Sequence, residues 1–128
     1  MVAVKKDFQL IFDRLKKIFK KYEKELSVIV DNNKSYSLEG PFSKVFNRTL
    51  WFGAIEIKKN YVSYHLMPVY MYKNLSESVP ENLKKRMQGK SCFNFKTYNE
   101  ELFKEMEKFT DKCFKEFKKR GDKINRVY

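Results

Sequence analysis

The sequence predicts an α+β protein, a two-layer sandwich in which an antiparallel sheet carries the N- and C-terminal helices on one face. Three observations lead to this class: a long amphipathic pattern near each end, short alternating segments between them, and tight turns joining those segments. Such helices must bury their apolar stripes, and one layer against the sheet does so. With 128 residues and 42% hydrophobic content, residues 1–128 form a single domain with an ordered core from about residue 5 to 121.

The first element is an amphipathic helix from about Asp7 to Glu25. Its apolar residues recur at spacings of three and four, and lysines occupy its other faces. The apolar stripe consists of Phe8, Ile11, Phe12, Leu15, Ile18, Phe19 and Tyr22.

The middle of the chain has the period of two that is typical of strands. Residues 27–31 and 36–39 are the first two strands around a turn, and Gly40-Pro41 ends the second. Residues 49–57 and 61–66 form a hairpin, which indicates antiparallel pairing.

Between this hairpin and the last strand the pattern is mixed. Residues 69–75 form a helical turn or a loop. A short helix then runs from a Ser78 cap to about Met87 and ends near Gly89.

Residues 91–96 alternate and form the last strand, and the run Thr97–Glu100 has the pattern of a capping box. The second long helix follows and ends at Gly121. Its apolar face consists of Leu102, Phe103, Met106, Phe109, Cys113, Phe114 and Phe117.

The net charge of +12 is spread over the whole chain, and only five of the 28 basic residues are arginine. Bidentate phosphate and base-edge recognition favours arginine. The excess lysine therefore indicates a solvated basic surface, with weak nucleic-acid or polyanion binding as an alternative.

The chain begins without the apolar run of a signal peptide, and no later segment has the length of a membrane span. Cys92 and Cys113 lack the spacing of a paired motif. These features predict a cytoplasmic protein that has no membrane partner and whose cysteines are inert, half-buried thiols.

Two segments resemble the YdhG-like domains, which are small bacterial cytoplasmic proteins mostly of unknown function. Residues 47–66, NRTLWFGAIEIKKNYVSYHL, resemble the central hairpin of that family. Residues 89–95, GKSCFNF, resemble its glycine-lysine segment before the last strand. The helices also fall in the family's order over roughly residues 5–120, and only residues 26–46 depart from it. The resemblance implies a two-layer domain with an antiparallel sheet.

Some members of this family are described as frataxin-like iron chaperones, which makes iron binding a second alternative. Such sites use carboxylates clustered on the first helix, because iron prefers hard oxygen ligands. Here residues 1–25, which include that helix, have four acidic residues among eight basic ones, an unfavourable charge balance. The acidic residues are Asp7, Asp13, Glu23 and Glu25.

The predicted hairpin has more aromatic side chains than one helix layer can cover. They are Trp51, Phe52, Tyr61 and Tyr64. Cross-strand aromatic pairing explains part of this surplus. Alternation also requires that some of these rings lie on the second sheet face, where they line a pocket or a dimer interface unless residues 41–46 and 69–75 cover them.

Alternation along the strand places His65 on the other face of the sheet from Val62, Tyr64 and Leu66. It therefore lies on the face away from the apolar layer or at the rim of that layer. It is either a satisfied sheet histidine or a ligand contact or proton shuttle. A metal site would need further ligands such as Cys92 or Glu56, and the sequence shows no ligand spacing, so no metal and no cofactor are predicted.

Lys90 lies in a Gly-Lys-Ser run that lacks the first glycine of a phosphate-binding loop and precedes a strand, so it is at most an anion contact. With one histidine and no nucleophile-elbow pattern, no catalytic set is predicted. The sequence thus favours a non-catalytic module that binds an unidentified small ligand or a protein partner. A homodimer, in which the partner is a second copy of the chain, is one form of this prediction. The expected ligand-binding residues are Trp51, Tyr64, His65 and Lys90.

Overall fold

The computed structural model describes the backbone of residues 2–125 and the side chains of residues 7–125. Helices and strands over this range follow the predicted order, with additional short elements before the last long strand. The helices are α1 (Val2–Lys20), α2 (Met67–Met71), α3 (Lys73–Glu77), α4 (Glu81–Lys84) and α5 (Glu100–Arg120). The strands are β1 (Ser27–Asp31), β2 (Ser35–Ser43), β3 (Arg48–Ile57), β4 (Val62–Leu66), β5 (Met87–Gln88) and β6 (Cys92–Phe95).

The described strands form one antiparallel sheet in the order β1-β2-β3-β4-β6-β5. The α+β class and the antiparallel sheet predicted from the tight turns are therefore confirmed. β4 and β6 are neighbours although α2, α3, α4 and β5 separate them in the chain.

The two faces of the sheet differ sharply at β4, where successive side chains alternate. Tyr64 is fully buried, and both long helices reach it: its ring centroid lies 4.9 Å from that of Phe19 in α1, and its hydroxyl lies 2.6 Å from Thr110 Oγ1 in α5. We call the side that carries Ile55, Tyr64 and Leu66 the helix face. The outer face is the side that carries Ala54, Ser63 and His65.

The long helices are also joined to each other by polar contacts. The guanidinium of Arg14 in α1 donates to both carboxylate oxygens of Glu100, with Nε–Oε1 and Nη2–Oε2 distances of 3.0 Å. Tyr22 Oη donates to Asp111 at 3.2 Å. These pairs fix the helices against one another beside the buried aromatic core.

The predicted break at Gly40-Pro41 is wrong, because β2 continues to Ser43. β1 pairs with β2 only as far as Glu39, so Pro41 lies where one side of β2 is a free edge. A proline on a free edge removes no ladder hydrogen bond, which explains why the strand tolerates it.

The helix predicted from a Ser78 cap to Met87 is also wrong in extent. α4 is a single turn that follows Pro80 without a side-chain cap, and residues 87–88 form β5. The Ser78 hydroxyl instead donates to the Leu75 carbonyl at 3.1 Å, at the end of α3. Residues 69–75 were expected to be a helical turn or a loop; residues 69–71 lie in α2 and residues 73–75 in α3, with the extended Tyr72 between the two short helices.

Both long helices have different starts or ends from those predicted. α1 ends at Lys20, and residues 21–25 form turns. The cap of α5 is Asn99 and not Thr97: its side-chain oxygen accepts from the Leu102 amide at 3.1 Å. Past the predicted end of the core, Asn125 N donates to the Met71 carbonyl at 3.1 Å.

Candidate functional site

A bulge in β3 decides which aromatic side chain reaches the outer face. Leu38 of β2 faces Gly53, whereas the next residue, Glu39, faces Trp51, so Phe52 has no opposite residue. An extra residue reverses the alternation beyond it. Phe52 therefore packs on the helix face against Phe117, with ring centroids 5.3 Å apart, and Trp51 lies on the outer face.

Trp51 is held in place on the outer face by stacking and by a hydrogen bond. Its ring is stacked on that of His65, with centroids 4.5 Å apart and an interplanar angle of 11°. Trp51 Nε1–H donates to Ser37 Oγ at 2.9 Å. Because Ser37 is buried on β2, the indole is anchored at both its face and its edge.

His65 and Cys92 form a directly opposed pair across β4 and β6. Cys92 Sγ lies 2.9 Å from His65 Nδ1, and Ser91 Oγ lies 3.3 Å from His65 Nε2. A neutral imidazole with an unprotonated Nδ1 accepts the thiol hydrogen, and Ser91 Oγ, which also lies 3.4 Å from Nδ1, contacts the same ring. The imidazole is therefore held by Cys92 at the start of β6, by Ser91 just before that strand, and by the Trp51 ring.

Burial sets the charge state of this pair. It lowers the pKa of His65, and the field of Glu56 opposes that shift. Burial raises the pKa of the Cys92 thiol, against the effects of Ser63 and Lys58. Both shifts favour a neutral imidazole beside a neutral thiol at pH 7.

The Trp51, His65 and Cys92 side chains belong to the lining of a cleft of about 330 Å³ on the outer face. This volume is at the lower end of the range for small-molecule sites, roughly 300–1,000 Å³. Most of the other lining side chains are polar, and they include Lys58 and Glu56, which form an ion pair at 3.0 Å. We call this feature the outer-face cleft; its further lining includes Ala54, Tyr61, Ser63, Gln88 and Asn94.

Of the four predicted ligand-binding residues, the structure brings together Trp51 and His65. Tyr64 lies on the opposite face, fully buried under α1 and α5, so it does not line the cleft. Lys90 is exposed in the turn between β5 and β6, next to Ser91 but outside the cleft lining.

Cys92 is the cleft residue that sequence reasoning missed, since it was expected to be an inert strand thiol. It is half-buried and its sulfur contacts His65. Within residues 7–125, no group of three or more His, Cys, Asp or Glu side chains is arranged to hold a metal ion.

No family model, curated protein or solved structure matches this chain. Among the helices described for residues 2–125, none combines the length and the apolar character needed to cross a bilayer.

Proposed function

We propose that this protein is a non-catalytic ligand-binding module and that the outer-face cleft is its binding site. The ligand class that suits the cleft is a small molecule with a flat unsaturated part and one or more polar groups. The observation that carries the proposal is the parallel stack of Trp51 on His65 within a partly enclosed cleft.

The walls of the cleft supply both kinds of contact that small-molecule sites use. Trp51 and Tyr61 offer aromatic surface, while Ser63, Asn94 and Gln88 offer hydrogen-bonding groups. Asn94 Nδ2 already donates to Gln88 Oε1 at 2.6 Å, so part of the polar wall is ordered before any ligand arrives. Such preorganisation reduces the entropic cost of binding.

The proposal includes the finer features expected from the sequence: a two-layer, frataxin-like sandwich, membership of the YdhG-like domains and a cytoplasmic location. Contacts of α1 and α5 with the same buried tyrosine support the two-layer arrangement. Iron binding is less favoured, because two carboxylates near the end of α1 already have partners. Glu23 accepts from the Tyr36 hydroxyl, and Glu25 pairs with Lys118.

Trp51 is the single tryptophan of the chain, so its fluorescence reports directly on the cleft. We expect a saturable change in that fluorescence on titration with members of a library of planar polar metabolites. Ser63→Phe, which fills the cleft, should abolish the change. Ser76→Phe is the matched control, since Ser76 is equally half-buried but lies on α3. A library that produces no saturable response, or responses that survive Ser63→Phe, would refute the site.

A second candidate is self-association through the edge strand β1, which would make the protein an interaction module. Val28, Ile29 and Val30 are 41%, 48% and 37% exposed at this end of the sheet. An exposed β-branched edge is a template for pairing with another strand, and a second copy offers an identical one.

The net charge of +12 opposes this pairing, so salt should promote it. Sedimentation velocity is expected to show a dimer that increases with salt and disappears in Ile29→Lys. A strict monomer at millimolar protein and high salt would eliminate this candidate.

A further inference from the structure

We propose that Cys92 is a covalent attachment site for a planar α,β-unsaturated carbonyl compound, with His65 as the base that accepts the thiol proton. The inference deepens the proposed function and rests on it, because the adduct forms in the same outer-face cleft.

The nucleophile and its base are set in place by the sheet itself. The register of β4 and β6 puts His65 opposite Cys92, and the Sγ–Nδ1 distance is 2.9 Å. Ser91 Oγ lies 3.3 Å from Nε2 and 3.4 Å from Nδ1, so it helps to hold the ring beside the thiol. A nucleophile within reach of a base that a third group orients is the arrangement shared by activated thiols and hydroxyls.

The two cysteines of the chain differ in access. Cys92 is half-buried and lines the cleft, whereas Cys113 is fully buried in the core side of α5. An electrophile that enters the cleft therefore meets one of the two thiols. Trp51 lines the same cleft, and the face of its indole that His65 does not cover offers a flat surface on which a conjugated carbonyl can stack.

Burial of the pair favours a neutral thiol that loses its proton during reaction. Burial raises the pKa of Cys92 and lowers that of His65. Glu56 and Lys58 are the charged groups whose fields reach the pair, and Tyr61 is the further titratable group of the cleft. A neutral imidazole is available to take the proton as sulfur attacks.

The reaction balances without an oxidant or a leaving group. Sulfur forms a bond to the β-carbon, the carbon–carbon π bond breaks, and its electron pair moves onto the carbonyl oxygen as an enolate. The thiol proton goes to His65 Nδ1. The imidazolium then returns that proton to the α-carbon, so the sum is addition of the thiol across the double bond.

Conjugate addition suits this site better than acyl transfer does. Acyl transfer develops negative charge on the oxygen bonded to the carbon that sulfur attacks, and it needs hydrogen-bond donors such as free backbone N–H groups close to the sulfur. Here the strand that carries Cys92 is paired with β4 on one side and with β5 on the other. Conjugate addition instead places the charge on an oxygen three bonds from the attacked carbon, within the polar part of the cleft.

The test uses the full chain and 2-cyclohexen-1-one, with cyclohexanone as the saturated control. Intact mass is expected to show one adduct per chain with the enone and none with the control. Tryptic mapping is expected to place the adduct on the peptide 91–96 and leave Cys113 unmodified. Adduct on Cys113, on both thiols or on neither in the folded protein would overturn the proposal.

The role of His65 is tested by the pH dependence of the rate. For the native chain, the rate should rise as His65 loses its proton below pH 6.5 and stay level from about pH 7 to 8.5. In His65→Gln it should be at least about 10-fold lower at pH 7.5 and rise about tenfold per pH unit, as expected for a free thiolate. Circular dichroism establishes that the variant is folded, and equal rates with equal profiles would refute the assigned base.

The Trp51 titration, repeated with Cys92→Ser, separates this inference from the proposed function. Retained non-covalent binding together with no enone adduct on the native chain refutes the attachment site alone. Loss of both the fluorescence change and the enone adduct refutes the cleft as a binding site, and the covalent attachment site is then refuted with it.

Discussion

Replacing Thr110 with valine takes away the hydrogen-bond acceptor of a fully buried tyrosine. Tyr64 Oη lies 2.6 Å from Thr110 Oγ1, and Thr110 Oγ1 in turn donates to the Met106 carbonyl at 2.7 Å. The threonine hydrogen is thus in use, so the tyrosine must be the donor. Thr110→Val leaves that O–H group without an acceptor between the helices and the sheet, whereas Tyr64→Phe leaves the threonine hydroxyl satisfied by Met106.

The difference between these two variants sets the expected losses in the free energy of unfolding. An unsatisfied buried donor costs about 1–3 kcal/mol, while a lost neutral hydrogen bond costs about 0.5–1.5 kcal/mol. We expect Thr110→Val to lower the free energy of unfolding by about 2 kcal/mol and Tyr64→Phe by about 1 kcal/mol. In the double variant no hydroxyl is stranded, so its stability should equal that of Tyr64→Phe, a coupling energy of about 2 kcal/mol.

Urea denaturation followed by circular dichroism measures the four proteins of this cycle. At about 3–5 °C per kcal/mol for a chain of this size, the loss in Thr110→Val is also visible as a lower Tm. Tyr64→Phe should leave the Trp51 fluorescence titration unchanged. A coupling energy below about 0.5 kcal/mol, or a Tyr64→Phe variant that fails to bind, would refute the structural role given to this tyrosine.

Two further predictions concern the packing and charge of the fold. Gly53→Ala should destabilise the protein by about 1–3 kcal/mol in urea denaturation, because the added methyl group would meet paired backbone of β4. Gly40→Ala should cost less, since the added methyl group meets the Phe117 ring, which can rotate. The hydrogen bonds from Arg14 lower the pKa of Glu100 to about 2, so this pair stabilises the fold above pH 4.5 and its contribution is lost as pH falls through about 2. NMR titration of the Glu100 carboxyl should show its pKa rising toward 4.5 in Arg14→Met, and an unchanged pKa would contradict this pairing. Equal losses of stability in Gly53→Ala and Gly40→Ala would contradict the packing assigned to the two glycines.

Local periodicity was enough to predict the two long helices, the central hairpin and the last strand. Apolar residues that recur about every 3.6 residues predict a helix, and those that recur every two residues predict a strand. Both patterns are local and do not depend on residues distant in the chain. Alternation along β4 also predicts that His65 and Tyr64 lie on different faces of the sheet, as they do in the structure. The same alternation excludes Tyr64 from any site on the face that contains His65, so the sequence alone already separates these two side chains.

The position of Trp51 could not be obtained from alternation alone. A regular strand would put Trp51 and Ala54 on opposite faces, and one extra residue at Phe52 brings them to the same face. Gly53 is the available signal, because a glycine inside a strand often marks a bulge.

The contact between His65 and Cys92 depends on which strands are neighbours. Residues 67–91 separate β4 from β6 in the chain, and only the register of their pairing brings the two side chains together. Strand order is a property of the whole fold, so the sequence contained both residues without indicating that they meet.

α1 and α5 pack on one face of the sheet, and we propose that the outer face binds the ligand. The most direct test of this central claim is a two-dimensional ¹H–¹⁵N NMR titration of the native chain with the planar polar compounds. The single Trp51 indole N–H peak should shift saturably, together with the amides of Ser63, Cys92 and Asn94. Saturable shifts confined to the helix face or to β1, with the indole peak unmoved, would contradict the claim.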